Sequence, residues 1–276
     1  VEETEVQTDH WNIPGSTVEI YQDIFIPAMI GEWVSRVLSL ADRQPGEQVL
    51  DVACGTGVLT RAAADMVGQN GSVIGVDISP DILSLARKLT DGRFSAIEWR
   101  ECDAQNLSFE DSFFEVAFCQ LGLMFIPDKV MALKEMKRVL KTDGRLALMV
   151  WGAIKKSPGQ TVIAKIWEKH LGAEHAAGFY RMHSMNDPDN LRSLLESSDF
   201  QEIVVKSTKS TMRFPAAEHH VRSYGAMVRF PANEVQQPTV IREVTQAMQD
   251  YVSSDGLLFP IKAVLGKARK VQSFIH

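Results

Sequence analysis

The sequence predicts an α/β fold: a doubly wound, mostly parallel sheet of seven strands, with a helical cap in front and a helical insertion before the last strand. Two observations lead to it. From Gln48 to Trp151, short apolar runs alternate with longer amphipathic segments, the pattern of a parallel sheet covered by helices on both faces. At the end of the first run, Gly55 and Gly57 stand where strand hands over to helix, the position at which such sheets bind ligands.

The elements follow in order. Ser16 to Ala41 carries helical spacing (Ile20, Ile24, Trp33, Val37, Leu40), is interrupted at Pro27 and closes on the Pro45-Gly46 turn, so residues 1–45 form a cap. Strands are predicted at Gln48–Ala53, Ser72–Asp77, Ala96–Glu101, Phe113–Cys119 and Arg145–Trp151. VLTRAAADMV and PDILSLARKL supply the first crossovers, the second opening with Pro80, where a missing N–H costs nothing. PDKVMALKEMKRVLK ends in basic residues that suit the negative end of the helix dipole, before Asp143-Gly144 turns the chain. Gln201–Phe214, rich in Val, Ile and Thr, is a strand. Pro215–Tyr251 is mostly helical with breaks at Pro231 and Pro238, and after Asp255-Gly256 the stretch Ile261–Arg269 returns as the last strand. The expected units are therefore a cap at 1–45, a Rossmann-like core at 46–214, a helical insertion over the active site at 215–256, and a strand completing the sheet at 257–276.

Composition excludes several classes of partner. A hydrophobic share of 45% and a charged share of 23% are those of a globular chain. The net charge of -6 disfavours nucleic acid and anionic membrane, whose binding needs surplus Lys and Arg. Cys54, Cys102 and Cys119 are too few and too scattered for a disulfide framework or a metal site, which fits a reducing cytoplasm. The acidic start, VEETEVQTDHW, lacks the basic and apolar parts of a signal peptide, and no apolar run is long enough for a membrane span.

The most informative stretch is VLDVACGTG, Val49 to Gly57. Glycines there let the backbone turn sharply and let a ligand approach, and the helix beyond supplies free N–H donors. Asp77 ends the second strand, where this geometry points a carboxylate at both hydroxyls of a ribose; its alternative is an N-cap, a task Ser79 can also perform. Asp103 with Ala104 follows the third strand and can take an adenine amino group while leaving room for the ring; the alternative is a turn former. A dinucleotide site wants a third glycine where this chain has Thr60, which disfavours NAD. S-adenosylmethionine carries no phosphate and needs no such loop.

VLDVACGTG, GVDIS, ECDAQNL, FCQLGLMFIPD and LKEMKRVLKTDGRLALMVW, in that order, resemble the class I methyltransferases of the ubiquinone and menaquinone biosynthesis type. The resemblance runs strongly from Tyr21 to Trp151, and a weaker likeness extends through DPDNLRSLLESSDF and DGLLFPIKAVLGKARK. It implies an enzyme that uses S-adenosyl-L-methionine as cofactor and a small-molecule methyl acceptor. Asp51, Ala53, Gly55 and Gly57 would then wrap the methionine part, Asp77 and Ile78 would hold the ribose and flank the adenine, and Asp103 and Ala104 would read the adenine edge. Cys119, Gln120 and Leu121 would face the amino-acid portion and the methyl group, and Tyr21 would close over the cofactor.

Methyl transfer is an in-line displacement that mainly requires alignment and exclusion of water. A general base helps only where the acceptor must lose a proton, and the candidates are His183, in MHSMNDPD, and His219 and His220. None has the carboxylate partners of a metal site, and Cys54 reads as an apolar filler. After the fourth strand, Cys-Gln-Leu-Gly replaces the acid or asparagine followed by two prolines and an aromatic that amino-methylating nucleic-acid enzymes carry. Met29, Met124, Met182, Met185, Met212 and Met227, with Trp11, Phe25, Phe125 and Phe179, fall in the segments that roof the site. They either fill the core or line a pocket for an apolar or aromatic acceptor. The competing readings are an NAD-dependent oxidoreductase and a catalytically inactive cofactor-binding partner subunit.

Overall fold

Strand β1 (Gln48–Val52) is the seam from which the sheet grows in both directions. The computed structural model describes residues 21–42, 44–90, 97–227 and 236–272; the side chains of Tyr21 and of residues 225–227 and 236–237 lie outside that description. The chain first winds one way, through α3 (Val58–Val67), β2 (Ser72–Asp77), α4 (Pro80–Thr90) and β3 (Ile97–Glu101). It then returns past β1 to β4 (Phe114–Gln120), α5 (Lys129–Val139) and β5 (Leu140–Trp151). β6 (Gln201–Phe214), β7 (Val252–Ser253) and β8 (Gly256–Arg269) complete an eight-stranded sheet ordered β3-β2-β1-β4-β5-β8-β6, with β7 paired to β8. The pairs among β1 to β5 are parallel, and β8 runs antiparallel between β5 and β6. Because the winding reverses at β1, a crevice opens beyond the carboxyl ends of β1 and β4, where no crossover covers it.

The core crossovers stand where the apolar periodicity put them, with differences at the ends. β1 stops one residue early because Ala53 turns into the left-handed region at φ 56°. β5 starts at Leu140, and the register then jumps from Phe114↔Leu140 to Val116↔Arg145 across the Asp143-Gly144 turn. Eight strands replace the seven expected: β7 is a two-residue strand pairing with the start of β8, too short for any pattern to announce. β8 begins at Gly256 rather than Ile261 and runs through Pro260, in a stretch beside β6 and β7 where β5, which joins only at Ala263, makes no demand for an N–H.

The cap also differs. α1 (Tyr21–Ile30) is a π-type helix that contains Pro27 instead of stopping there; the wider turn absorbs a residue with no N–H and a ring that crowds the preceding turn. α2 (Gly31–Leu40) continues it. Between β5 and β6, α6 (Pro158–Leu171) and α7 (Ala173–Met182), elements the sequence reading did not name, pack on each other, and α8 (Pro188–Ser197) lies against β6. α9 (Ala217–Met227) packs on α1, and α10 (Gln236–Ala247) packs on α6 and α9, so the roof is built from three separate parts of the chain. Pro238 does not break the insertion but sits in the first turn of α10, while Pro231 and Ala96 lie outside the described residues. Among the described residues no helix is long and apolar enough to cross a membrane.

Trp99 of β3 lies across the start of the sheet's ligand end. A Cβ on Gly75, its partner in β2, would come within 2.6 Å of the indole, and one on Gly57 within 2.0 Å. Gly75→Ala is therefore expected to destabilise the fold by roughly 1–3 kcal/mol, the usual cost of overpacking. Urea unfolding of Gly75→Ala, Trp99→Leu and the double variant should show strong coupling; independent, additive losses would mean that the indole is not the source.

Candidate active site

The carboxyl ends of β3, β2, β1, β4 and β5 open in that order onto one cavity of about 350 Å³. Its lining changes character along the line. Asp103 follows β3, Asp77 ends β2, Asp51 lies in β1 ahead of the glycine loop, Gln120 ends β4 and Trp151 ends β5. Phe25, Ile26 and Ile30 of the cap helix α1, Phe125 after β4 and Met182 at the end of α7 supply apolar wall. Trp33 of α2 meets Trp151 edge-on at 6.0 Å and α7 packs on the turn at 123–125, so the apolar wall belongs to the β4–β5 side.

Asp77 holds the glycine loop. Its Oδ2 accepts from the Gly55 N–H at 2.9 Å and its Oδ1 from the Ser79 N–H at 3.0 Å. Ser79 Oγ accepts from the Ile82 N–H at 3.4 Å and so takes the start of α4, leaving the aspartate to the loop. Burial lifts the Asp77 carboxyl above its ordinary range, against the backbone donors that pull it down. Asp51 is 1% exposed, and its Oδ2 accepts from Thr60 Oγ1 at 2.6 Å. Burial, with a smaller push from the Asp77 charge, raises it to about 7. Among the described residues lining the cavity there is no Lys, Arg or His to neutralise these acids. A floor of carboxylates without its own counter-charge suits a cationic ligand that carries hydroxyls, as S-adenosylmethionine does.

The loops at the switch point are strained into place. Ala53 after β1 and Leu121 after β4 both adopt left-handed backbone, at φ 56° and 60°, and a Cβ on Gly122 would meet the Ala53 Cβ at 2.4 Å. Such conformations cost roughly 1–3 kcal/mol each and persist where the surroundings demand them. Two of the residues lining the cavity here carry buried polar atoms without hydrogen-bond partners among the described residues: Thr56 at Oγ1, and Gln120 at both amide atoms.

Of the residues expected at the cofactor, Asp51, Ala53, Gly55, Asp77, Ile78, Asp103, Ala104, Gln120 and Leu121 all line the cavity. Gly57 does not: its backbone, at φ 79°, turns the chain into α3, and its missing side chain makes room for Trp99. Cys119 is fully buried behind the wall, its thiol pushed up to about 12. The Tyr21 side chain lies outside the described residues. His183 sits behind Trp151, at 6.4 Å between ring centroids, with Nδ1 2.6 Å from the Gly152 carbonyl and burial lowering it to about 4. His220 is enclosed by Phe214, Phe259 and Tyr224 and driven down to about 3, and neither it nor His219 reaches the cavity. Phe25, Phe125 and Met182 line the cavity as the pocket reading required, whereas Met29, Met124, Met185, Met212 and Phe179 pack in the core; Trp11 and the Met227 side chain are outside the described residues. Trp151 and the Thr60 hydroxyl went unassigned in the sequence. The same Thr60 that marks the absent third glycine is the donor to Asp51.

The stability of the free protein carries the signature of Asp51. A carboxyl whose folded value is about 7 and whose ordinary value is 3.8 binds a proton in the folded state that the unfolded state releases, so stability falls as pH rises through that interval. Asp51→Asn should remove most of this slope and stabilise the free protein above neutrality, by at most about 4 kcal/mol. Urea unfolding across the interval measures both, and an unchanged slope in the variant would assign the proton elsewhere.

Known proteins resemble this chain in sequence and fold. The model of the ubiE/COQ5 methyltransferase family matches residues 21–171. The chain is 32% identical over 184 residues to the ubiquinone/menaquinone biosynthesis C-methyltransferase UbiE of Ectopseudomonas mendocina, across 65% of this chain and 68% of that protein. To the UbiE of Teredinibacter turnerae it is 30% identical over 202 residues, across 67% of this chain and 79% of that protein. Among solved structures, phosphoethanolamine N-methyltransferase 2 of Haemonchus contortus in complex with S-adenosyl-L-methionine superposes with a TM-score of 0.62 at 16% identity. That match covers 94% of this chain and 57% of that one, and it shows a common fold.

Proposed function

This chain belongs to the ubiE/COQ5 methyltransferase family and is an S-adenosylmethionine-dependent methyltransferase; we propose that its acceptor is a small apolar ring, methylated at carbon where β4 and β5 open beneath the cap. The observation that carries this reading is the change of lining along the sheet, from the carboxylates of Asp103, Asp77 and Asp51 to the apolar surface of Phe25, Phe125, Trp151 and Met182. Methylation at carbon follows the relatives, which are named as C-methyltransferases of quinone biosynthesis.

The cofactor supplies a methyl group already activated on a sulfonium. Asp77 keeps lone pairs for the ribose hydroxyls beyond its bonds to Gly55 and Ser79. Asp103, with the small Ala104 beside it, accepts from the adenine amino group, and Ile78 covers the ring. Ala53 and Gly55 admit the methionine part, while Asp51 and Asp77 provide the negative field for its cationic groups. Phe25, Ile26 and Ile30 shut water out from above. Holding the acceptor in line is then the protein's main contribution, worth up to roughly 7–11 kcal/mol of the barrier. The proton displaced from the methylated ring carbon is lost to solvent as the ring regains aromaticity. His183 holds Trp151 from behind instead of moving a proton: its Nδ1–H is committed to the Gly152 carbonyl and the ring is too weak a base at neutral pH.

Methyl transfer to a hydroquinone, with the new methyl located on carbon by mass spectrometry, tests the reading; turnover of amines with none of ring acceptors would overturn it. Asp77→Ala should weaken S-adenosylhomocysteine binding by roughly 1.5–3 kcal/mol in calorimetry, the worth of hydrogen bonds to a charged group. An unchanged affinity would remove the ribose role. His183→Ala should cost roughly 1–3 kcal/mol of stability while leaving the pH dependence of kcat in place. A lost limb in that profile would restore the histidine as a base.

A further inference from the structure

Between the acid-lined and apolar parts of the cavity stands a carboxamide that binds nothing among the described residues. Gln120 ends β4, opposite Met149 of β5, and both its Oε1 and Nε2 are shielded from solvent and lack a hydrogen-bond partner among the described residues. A buried amide in that state is costly unless a ligand completes it. The cofactor has other partners for its donors and positive charge, in Asp51, Asp77 and Asp103, all on the far side of β1 or in it. On the β4–β5 side the neighbouring wall is Phe125, Trp151 and Met182, none of which hydrogen-bonds the amide.

We infer that the Gln120 carboxamide anchors the methyl acceptor, hydrogen-bonding an oxygen substituent on its ring and so fixing which ring carbon faces the cofactor. This rests on the reading of the acceptor as an apolar ring and narrows it to rings bearing a hydroxyl. A hydroxyl oxygen offers a donor and lone pairs together, and a carboxamide offers the matching acceptor and donor. A bare hydrocarbon ring of the same size fills the apolar wall but leaves the amide unpaired, and a site built around a hydrogen bond rejects an analogue that lacks it. Gln120 is thus a specificity and positioning residue for the transfer. Thr56, the other unpartnered group at the junction, belongs to the glycine loop.

The test uses the full chain saturated with S-adenosylhomocysteine and two probes under argon, naphthohydroquinone and naphthalene, titrated by calorimetry. Wild type should bind the hydroquinone about tenfold or more tightly than naphthalene. Gln120→Met, close to it in shape, should keep its S-adenosylhomocysteine affinity within about twofold, which also shows that the variant folds, and should lose most of the discrimination between the probes. Equal binding of both probes by wild type would overturn the inference, as would discrimination undiminished in the variant. A variant whose S-adenosylhomocysteine affinity falls by the same factor would assign the amide to the cofactor. Failure of the broader reading looks different: wild type would then bind neither probe, or transfer no methyl group to any ring.

Discussion

The Asp77 carboxylate joins two strand ends through the Gly55 N–H, and the rest of the site is arranged around that tie. It fixes the loop after β1 against the end of β2, sets the left-handed Gly55 in place, and puts a buried negative charge next to Asp51. Ser79 makes the arrangement possible by capping α4, so the aspartate is not consumed by the helix it precedes. The carboxyl's raised value records the cost: backbone donors offset only part of the desolvation. A site that holds such charge with no cationic side chain among the described residues of its lining is preorganised for a ligand that brings the positive charge itself.

The reversal of winding at β1 then decides what lies beside this charge. Since β4 and β5 follow on the other side, their ends meet the roof of α1 and α7 instead of further acids, and the cavity becomes apolar within the width of the sheet. One continuous cavity thereby holds two environments of opposite kind. The strained Ala53 and Leu121 mark the junction between them, and Gln120 is the polar group left on the apolar side.

Much of this could be read from residue order. The strands and crossovers from Gln48 to Trp151 declare themselves because their burial follows the local period, and the acids declare themselves because they stand at strand ends. What escaped depends on contacts between distant parts of the chain. Gly57 reads as a place for a ligand, yet the group it accommodates is Trp99, two strands away. Besides packing on each other, α6 packs on α10 and on β8, and α7 on the turn after β4, partners far apart in the chain that no local period in their own segments could announce. His183 carries a catalytic residue type, but burial behind Trp151 and the Gly152 carbonyl decide its state, and neither is encoded in the MHSMNDPD loop alone. Likewise the methionines of the roof divide between core and cavity by small differences in facing, as Met182 and Met185 show.

Carboxylates with no Lys, Arg or His among the described residues of their cavity wait for the charge of S-adenosylmethionine. Calorimetric titration with this ligand near neutral pH, repeated in buffers of different ionisation enthalpy, counts the protons that move on binding. The account predicts net release, because a cation beside Asp51 pulls its carboxyl down from about 7. Binding with no proton released, or with protons taken up, would contradict it.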